Sequence, residues 1–244
     1  MNKTVLTLAA LAFFNGLAIS SEDPFQNTLV LYDFNNVGSF VDPNRPAYCS
    51  PCISATDLCP NDLAQTLKFC GGPDGSRFRC FDGWEKTAAN YSVLRSDLSQ
   101  AVNTLAFQVH VNPADQITLS SFGFDWMRTS AGSVDTIQAT VFWKDVNGAI
   151  QYNTTGPVGL TGTGTWNRLD FTSSYGSTDL ISGLDTSGTT LYFEIFAYGA
   201  DGGELCLDNI VLKGDCAPIP EPSGALLIGA AGVILLMRRR SRFH

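Results

Sequence analysis

"ITLSSFGFDWMR", Ile117–Arg128, decides how this chain folds. Read with a period of two, Phe122, Phe124 and Trp126 fall on one side and Asp125 on the other. Such alternation is that of a strand with one face against a core and the other toward water. The neighbouring stretches repeat it. "NTLAFQVHV" puts Leu105, Phe107 and Val109 on one face. "TLVLYDFN" (Thr28–Asn35) opens with β-branched and aromatic residues. "TIQATVFW" leads through "KDVNG" to "AIQYN", and Asn147-Gly148 suits a tight hairpin turn. "GTWNRLDF", "TTLYFEIFAYG" and "ELCLDNIVLKG" complete the series. Clusters of Gly, Ser, Thr and Asn separate these runs. Helical periodicity is weak, and only "PNDLAQTLKF" predicts one short helix. The expected fold is all-β, an antiparallel two-sheet β-sandwich of jelly-roll type.

Both ends of the chain differ from this middle. "MNKTVLTLAALAFFNGLAIS" has a lysine near its start, an apolar stretch and then small residues, the layout of a secretory signal peptide over residues 1–20. At the other end, Gly224–Met237 is uncharged and is followed by Arg238, Arg239, Arg240 and Arg242. As a helix this run would reach about 21 Å, short of a hydrocarbon core of about 30 Å. Snorkelling arginines lengthen such a span, and the basic end belongs on the cytoplasmic side. Residues 21–217 are thereby expected to form one exported domain, and 218–244 a short transmembrane segment.

Charge narrows the partners. The chain holds 15 Lys and Arg against 23 Asp and Glu. Without Lys3, the four tail arginines and Glu221, the body keeps 10 basic and 22 acidic residues, a net charge of about −12. Such a surface repels nucleic acid and anionic lipid and attracts divalent cations.

Cysteines mark one departure from the strand pattern. Cys49, Cys52, Cys59, Cys70 and Cys80 crowd into residues 49–80, while Cys206 and Cys216 flank the last run. Cys49-x-x-Cys52 has no second pair at zinc spacing and no nearby His, so disulfides are the expected use in an oxidising compartment. Five is odd: either a cluster cysteine reaches Cys206 or Cys216, or thiols remain free. A bridge to Cys216 suits a jelly roll whose first and last strands are neighbours. The segment reads as a stapled, structureless loop inserted after the first strand.

Pro220-Glu221-Pro222, the short apolar run and Arg238–Arg240, in that order, resemble the PEP-CTERM sorting signal of bacterial surface proteins. The resemblance covers about the last 25 residues. It implies export, recognition of the triplet by a membrane exosortase, removal of the tail, and residence at the cell surface or in an exopolysaccharide matrix. "ITLSSFGFDWMR", "VFW", "GTW" and "LCLDNIVLKG", within Val102–Gly214, are similar to the β-sandwich domains that precede such tails and to jelly-roll carbohydrate-binding modules. This implies an extracellular polysaccharide partner.

The residues themselves offer little for catalysis. His110 and His244 are the only histidines; His110 is out of phase with its apolar neighbours, so it is read as solvated. No Gly-x-Ser-x-Gly, His-Glu-x-x-His or phosphate loop occurs. A carboxylate pair for glycan hydrolysis needs only two acids, but Glu is scarce in the body: Glu22, Glu85, Glu194 and Glu204. The expectation is a non-enzymatic carbohydrate-binding protein, with a structural matrix protein as the alternative and a glycan hydrolase third. For sugar stacking, Trp126 and Trp143 share strand faces with apolar residues and are assigned to the core, whereas Trp84 and Trp166 border loops and are the candidate platforms. Asp33 and Asp208 interrupt apolar runs in the first and last strands. They resemble the carboxylate ligands of the calcium ion that joins the chain ends in carbohydrate-binding jelly rolls, which implies a structural calcium.

Overall fold

The computed structural model describes residues 25–35, 44–61, 63–68, 71–84, 103–145, 147–172, 188–199 and 204–219. The expected signal peptide, the sorting triplet Pro220, Glu221 and Pro222, and Arg238, Arg239 and Arg240 lie outside these residues, as does Cys70. Among the described residues no helix is long and apolar enough to cross a membrane.

The described chain is all-β. Its strands are β1 (Thr28–Tyr32), β2 (Tyr48–Cys49), β3 (Ile53–Ala55), β4 (Cys59–Asn61), β5 (Ala64–Lys68), β6 (Phe78–Asp82) and β7 (Thr104–Val111). There follow β8 (Asp115–Arg128), β9 (Thr136–Lys144), β10 (Ile150–Thr154), β11 (Val158–Gly159), β12 (Asn167–Thr172), β13 (Thr190–Tyr198) and β14 (Leu205–Pro218). One sheet runs β12-β8-β14-β1-β2, with β6 also on β14 and β5 on β6. The second runs β10-β9-β13-β7-β3, with β11 on β9 and β4 on β7. Every pairing is antiparallel.

The sheets meet through the residues that alternation selected. Phe107 of β7 stacks on Phe193 of β13 at 5.1 Å between centroids. Across the gap, Phe122 of β8 lies 5.9 Å from Phe107 and 5.4 Å from Phe193. Tyr32 of β1 adds a ring 5.1 Å from Phe107 and gives its hydroxyl to the Thr56 carbonyl at 2.6 Å. Aromatic pairs at such separations add to the hydrophobic gain of burial. Trp126 and Trp143 belong to this core, as expected.

Two bulges in the β8–β14 ladder break the period of two. Lys213 pairs with Ser121 but Gly214 with Leu119, so Ser120 is an extra residue on β8. It explains why Ile117 and Leu119 face the core on one phase and Phe122, Phe124 and Trp126 on the other. Gly214 sits at this bulge because a Cβ there would strike the Thr118 carbonyl oxygen. The second bulge lies on β14, between Asp208, opposite Asp125, and Val211, opposite Gly123. Asn209 takes φ 45° there, a left-handed conformation that asparagine tolerates better than most residues.

The cysteine-rich segment is not structureless. It contributes β2, β5 and β6 to one sheet and β3 and β4 to the other. The short helix expected over "PNDLAQTLKF" is instead β4 and β5. A ten-residue helix is marginal without an apolar face to bury, whereas β4 finds partners on β7 and β5 on β6. Two disulfides tie the segment to the last strand, Cys52–Cys216 and Cys80–Cys206. The second joins directly paired residues of β6 and β14. The expected bridge to Cys216 is thus present, and Cys206 is engaged as well. Cys49 stands outside both bridges, giving its S–H to the Ile53 carbonyl at 3.5 Å, and Cys59 is exposed.

Candidate functional site

The core-facing residues of β9, β13 and β7 include Val141, Phe193 and Phe107, so their neighbours in sequence point away from the core. On that outer face the register aligns Tyr152, Phe142, Tyr192 and Gln108 in one row across β10, β9, β13 and β7. Three inter-strand spacings of about 4.8 Å make the row about 14 Å long. Tyr152 is 52% exposed, more than any other large hydrophobic among the described residues, and its ring centroid is 6.1 Å from that of Phe142. Tyr192 is half-buried and Gln108 exposed. One register step along, His110 is exposed and its Nδ1 lies 3.1 Å from Thr190 Oγ1. The face therefore offers one accessible aromatic ring with hydrogen-bonding groups beside it, and the half-buried Glu194 in the next row, aligned with Thr140 and Ala106. Tyr152 is not legible in the sequence, because "AIQYN" is too short an arm for its alternation to show which face the tyrosine takes.

Of the two tryptophans expected to project, neither makes an open platform. Trp84 is buried at 7% exposure and gives its indole N–H to the Phe81 carbonyl at 2.9 Å. It packs edge-on against Phe81 in the main core, so the charged neighbours in "FDGWEK" did not bring it to the surface. Trp166 is half-buried in a separate small cluster over the Cys80–Cys206 bridge, with Phe78 and Met127. Its indole N–H goes to the Gly71 carbonyl at 2.7 Å and its ring meets Phe78 edge-on at 5.0 Å.

A second constellation lies on the outer face of the other sheet. The register lines up Arg168 on β12, Asp125 on β8 and Asp208 on β14. Asp208 is fully buried. Its carboxylate accepts the Asn209 N–H at 2.8 Å and the Ser76 hydroxyl at 3.1 Å. Burial pushes its carboxyl up to about 7; the Asn209 and Ser76 hydrogen bonds oppose the rise, and the charges of Asp74 and Asp125 add to it. Gly72 closes the lid of this site: a Cβ there would meet Ser76 Oγ at 2.7 Å and Asp208 Oδ2 at 3.0 Å. Asp125 is held from the other side by Asn209 Nδ2 at 2.8 Å and Arg168 Nη1 at 3.5 Å.

Asp33, just past β1, accepts the Asn35 N–H at 3.0 Å. Asp33 and Asp208 thus each have their own hydrogen-bond partners, and calcium requires six to eight oxygens. Among the described residues no group of three or more His, Cys, Asp or Glu is placed to hold a metal ion.

No family model matches the chain, and neither does any curated protein. Solved structures do resemble it. A xylan-binding domain from CBM22 aligns with TM-score 0.44 and 14% identity over 78% of this chain and 97% of that one. The C-terminal family 22 carbohydrate-binding module of Clostridium thermocellum Xyn10B gives TM-score 0.43 and 14% identity over 78% and 95%. A chain with the CBM22-1 and GH10 modules of the same organism's xylanase 10B, complexed with xylohexaose, gives TM-score 0.40 and 10% identity over 64% of this chain and 26% of that one.

Proposed function

We propose that the chain is an exported, non-enzymatic β-sandwich protein that binds polysaccharide on the outer face of the β10-β9-β13-β7 sheet. Tyr152 carries the proposal. A ring 52% exposed on a regular sheet face, in a row with Tyr192 and Gln108, is placed to stack on a sugar while neighbouring side chains meet its hydroxyls. Affinity electrophoresis in gels containing soluble polysaccharides tests it. Retardation of the wild-type protein that is lost in Tyr152→Ala, with an unchanged circular dichroism spectrum, supports the reading. Absence of retardation across neutral and acidic polysaccharides leaves the structural matrix role.

Export, surface residence and removal of the tail by an exosortase belong to the same proposal and rest on the sequence of residues 218–244. Intact mass of surface-extracted protein tests them, since a mature form that retains Phe243 and His244 excludes the processing. A structural calcium at Asp33 and Asp208 is proposed on charge alone: Asp74 and Asp125 both raise the cost of ionising buried Asp208, and a divalent cation would offset it. Equal melting temperatures in calcium and in chelator remove that ion.

A further inference from the structure

Cys49 is the cysteine that the fold leaves beside a bridge. β1 is antiparallel to both β2 and β14, so β2 and β14 run in the same direction on its two sides. Val30 pairs with Cys49 on one side and Leu212 on the other. Two inter-strand spacings, about 9.6 Å, therefore separate Cys49 from β14, beyond the Cα separation of about 7 Å that a disulfide spans. Cys52 escapes this constraint. β1 begins at Thr28, opposite Lys213, and Cys52 lies past that end, with its Cα 6.4 Å from that of Cys216.

The chain between the two cysteines folds back. The Ile53 N–H reaches the Ser50 carbonyl at 3.1 Å, closing a turn. The Cys49 thiol points over that turn to the Ile53 carbonyl at 3.5 Å, one residue from Cys52. Ser50 Oγ lies 3.4 Å from Cys52 Sγ. A thiol, a turn and a disulfide sulfur thus occupy five consecutive residues, and Cys49 packs against the same core as Cys52.

We propose that Cys49 is an internal nucleophile for the Cys52–Cys216 bridge, which makes that bridge exchangeable within the chain. The Cys49 thiol gives its proton to solvent base, and its thiolate attacks Cys52 Sγ. The bond to Cys216 breaks, the electron pair leaves on Cys216 sulfur, and that sulfur takes up a proton. One disulfide is lost and one formed, so no oxidant or reductant is consumed. Direct attack on Cys216 is disfavoured by the intervening β1. The product, Cys49–Cys52, no longer ties the end of β14 to the insert. Residues 217–219 then keep only the pairing of Ala217 and Pro218 with β8 and the Ile219 N–H to the Ala114 carbonyl at 2.8 Å. Pro220 follows directly, so the exchange sets how firmly the stem of the C-terminal segment is held. Burial pushes the Cys49 thiol up, a backbone hydrogen bond at Ala55 opposes the rise, and Tyr32 is the titratable group that interacts with it, so the thiol is the resting form at neutral pH.

The test uses the full chain without reductant. It is held at pH 9, quenched in acid, alkylated with a maleimide after unfolding, and mapped by mass. The wild-type label should move from Cys49 to Cys216 with appearance of the Cys49–Cys52 link, while Cys49→Ser should leave Cys216 unlabelled. Cys216→Ser, oxidised in air, should form Cys49–Cys52 directly, which tests the turn geometry independently. Label that stays on Cys49 in the wild type overturns the proposal. So does Cys216 labelled equally in Cys49→Ser, or two free thiols at 49 and 52 in oxidised Cys216→Ser.

Discussion

Asp208→Asn isolates the electrostatic cost built into the last strand. Asp208 is fully buried at the β14 bulge, and its carboxyl is raised from 3.8 to about 7, chiefly by burial. A carboxyl raised in the folded state binds more protons folded than unfolded. Stability is therefore greatest below the unfolded value and falls as pH rises from about 4 to about 7, beyond which it levels. At 1.36 kcal/mol per unit the difference amounts to about 4 kcal/mol as an upper bound, and residual solvent screening makes about 2–4 kcal/mol the working range. Asparagine keeps the shape. Its Oδ1 accepts the Asn209 N–H, and its Nδ2 donates to Ser76 Oγ, which turns its own hydrogen toward the Arg77 carbonyl, 3.4 Å away.

The assay is urea unfolding of wild type and Asp208→Asn at half-unit steps from pH 4 to 8.5, in chelator. The wild-type curve should fall relative to the variant by about 2–4 kcal/mol over that window, equivalent at neutral pH to at least about 4 °C in melting temperature for a domain of this size. Taking the difference between the two proteins cancels the titrating groups that do not couple to Asp208, and leaves Asp74 and Asp125 as the two that do. Parallel pH profiles would refute the reasoning, because they would mean that Asp208 ionises as freely folded as unfolded. Repeating the series in calcium extends it. A bound cation at Asp208 would flatten the wild-type curve and leave the variant unchanged.

Gly72→Ala should destabilise by about 1–3 kcal/mol in urea unfolding, since its methyl would meet Ser76 Oγ and Asp208 Oδ2 at 2.7 and 3.0 Å. Arg128 is buried and its guanidinium feeds the carbonyls of Leu160, Ala131 and Ser133, so Arg128→Met should cost about 2–4 kcal/mol, read by chemical unfolding. Cys80→Ser with Cys206→Ser removes a bridge closing a separation of 126 residues and should cost about 2–5 kcal/mol in thermal unfolding, while adding no fluorescent thiol label.

How much of this was legible depends on strand length and on what lies across the ladder. β7, β8, β9 and β13 have eight to fourteen residues, and alternation on β7 and β8 names two of the inter-sheet core rings, Phe107 and Phe122. A two-residue strand such as β2 has no period to read. β2 to β6 acquire their state from partners far along the chain, β7, β14 and β1, and only β5 and β6 pair within the segment. Local composition, full of Pro, Gly and Cys, therefore gave the opposite impression. The bulge at Ser120 is hidden for a similar reason. Ser120 and Ser121 are both polar, and only the shift of partner from Ser121 to Leu119 shows which one is extra. At the candidate site, all four tryptophans are buried or half-buried, and the accessible ring is a tyrosine on a short edge strand.

β14 explains why the two sequence anomalies, the cysteine cluster and the buried aspartate, are one feature. β8 covers one edge of β14 for almost its whole length. The other edge is divided: β6 pairs with Leu205–Leu207, and β1 with Ile210–Lys213. Asp208 and Asn209 occupy the gap between those partners, where the bulge turns the chain and, among the described residues, no strand pairs with them from that side. Side chains and the Ser76 loop supply hydrogen bonds there instead, which is why a carboxylate and a left-handed asparagine stand in an otherwise apolar strand. A strand edge shared between two short partners is weakly specified by its own ladder. The disulfides act at the two ends of that edge, Cys206 within the β6 segment and Cys216 beyond the start of β1. They fix the register of β14 against an insert whose own strands are too short to do so, and Cys49 is placed to undo one of those two constraints without touching the other.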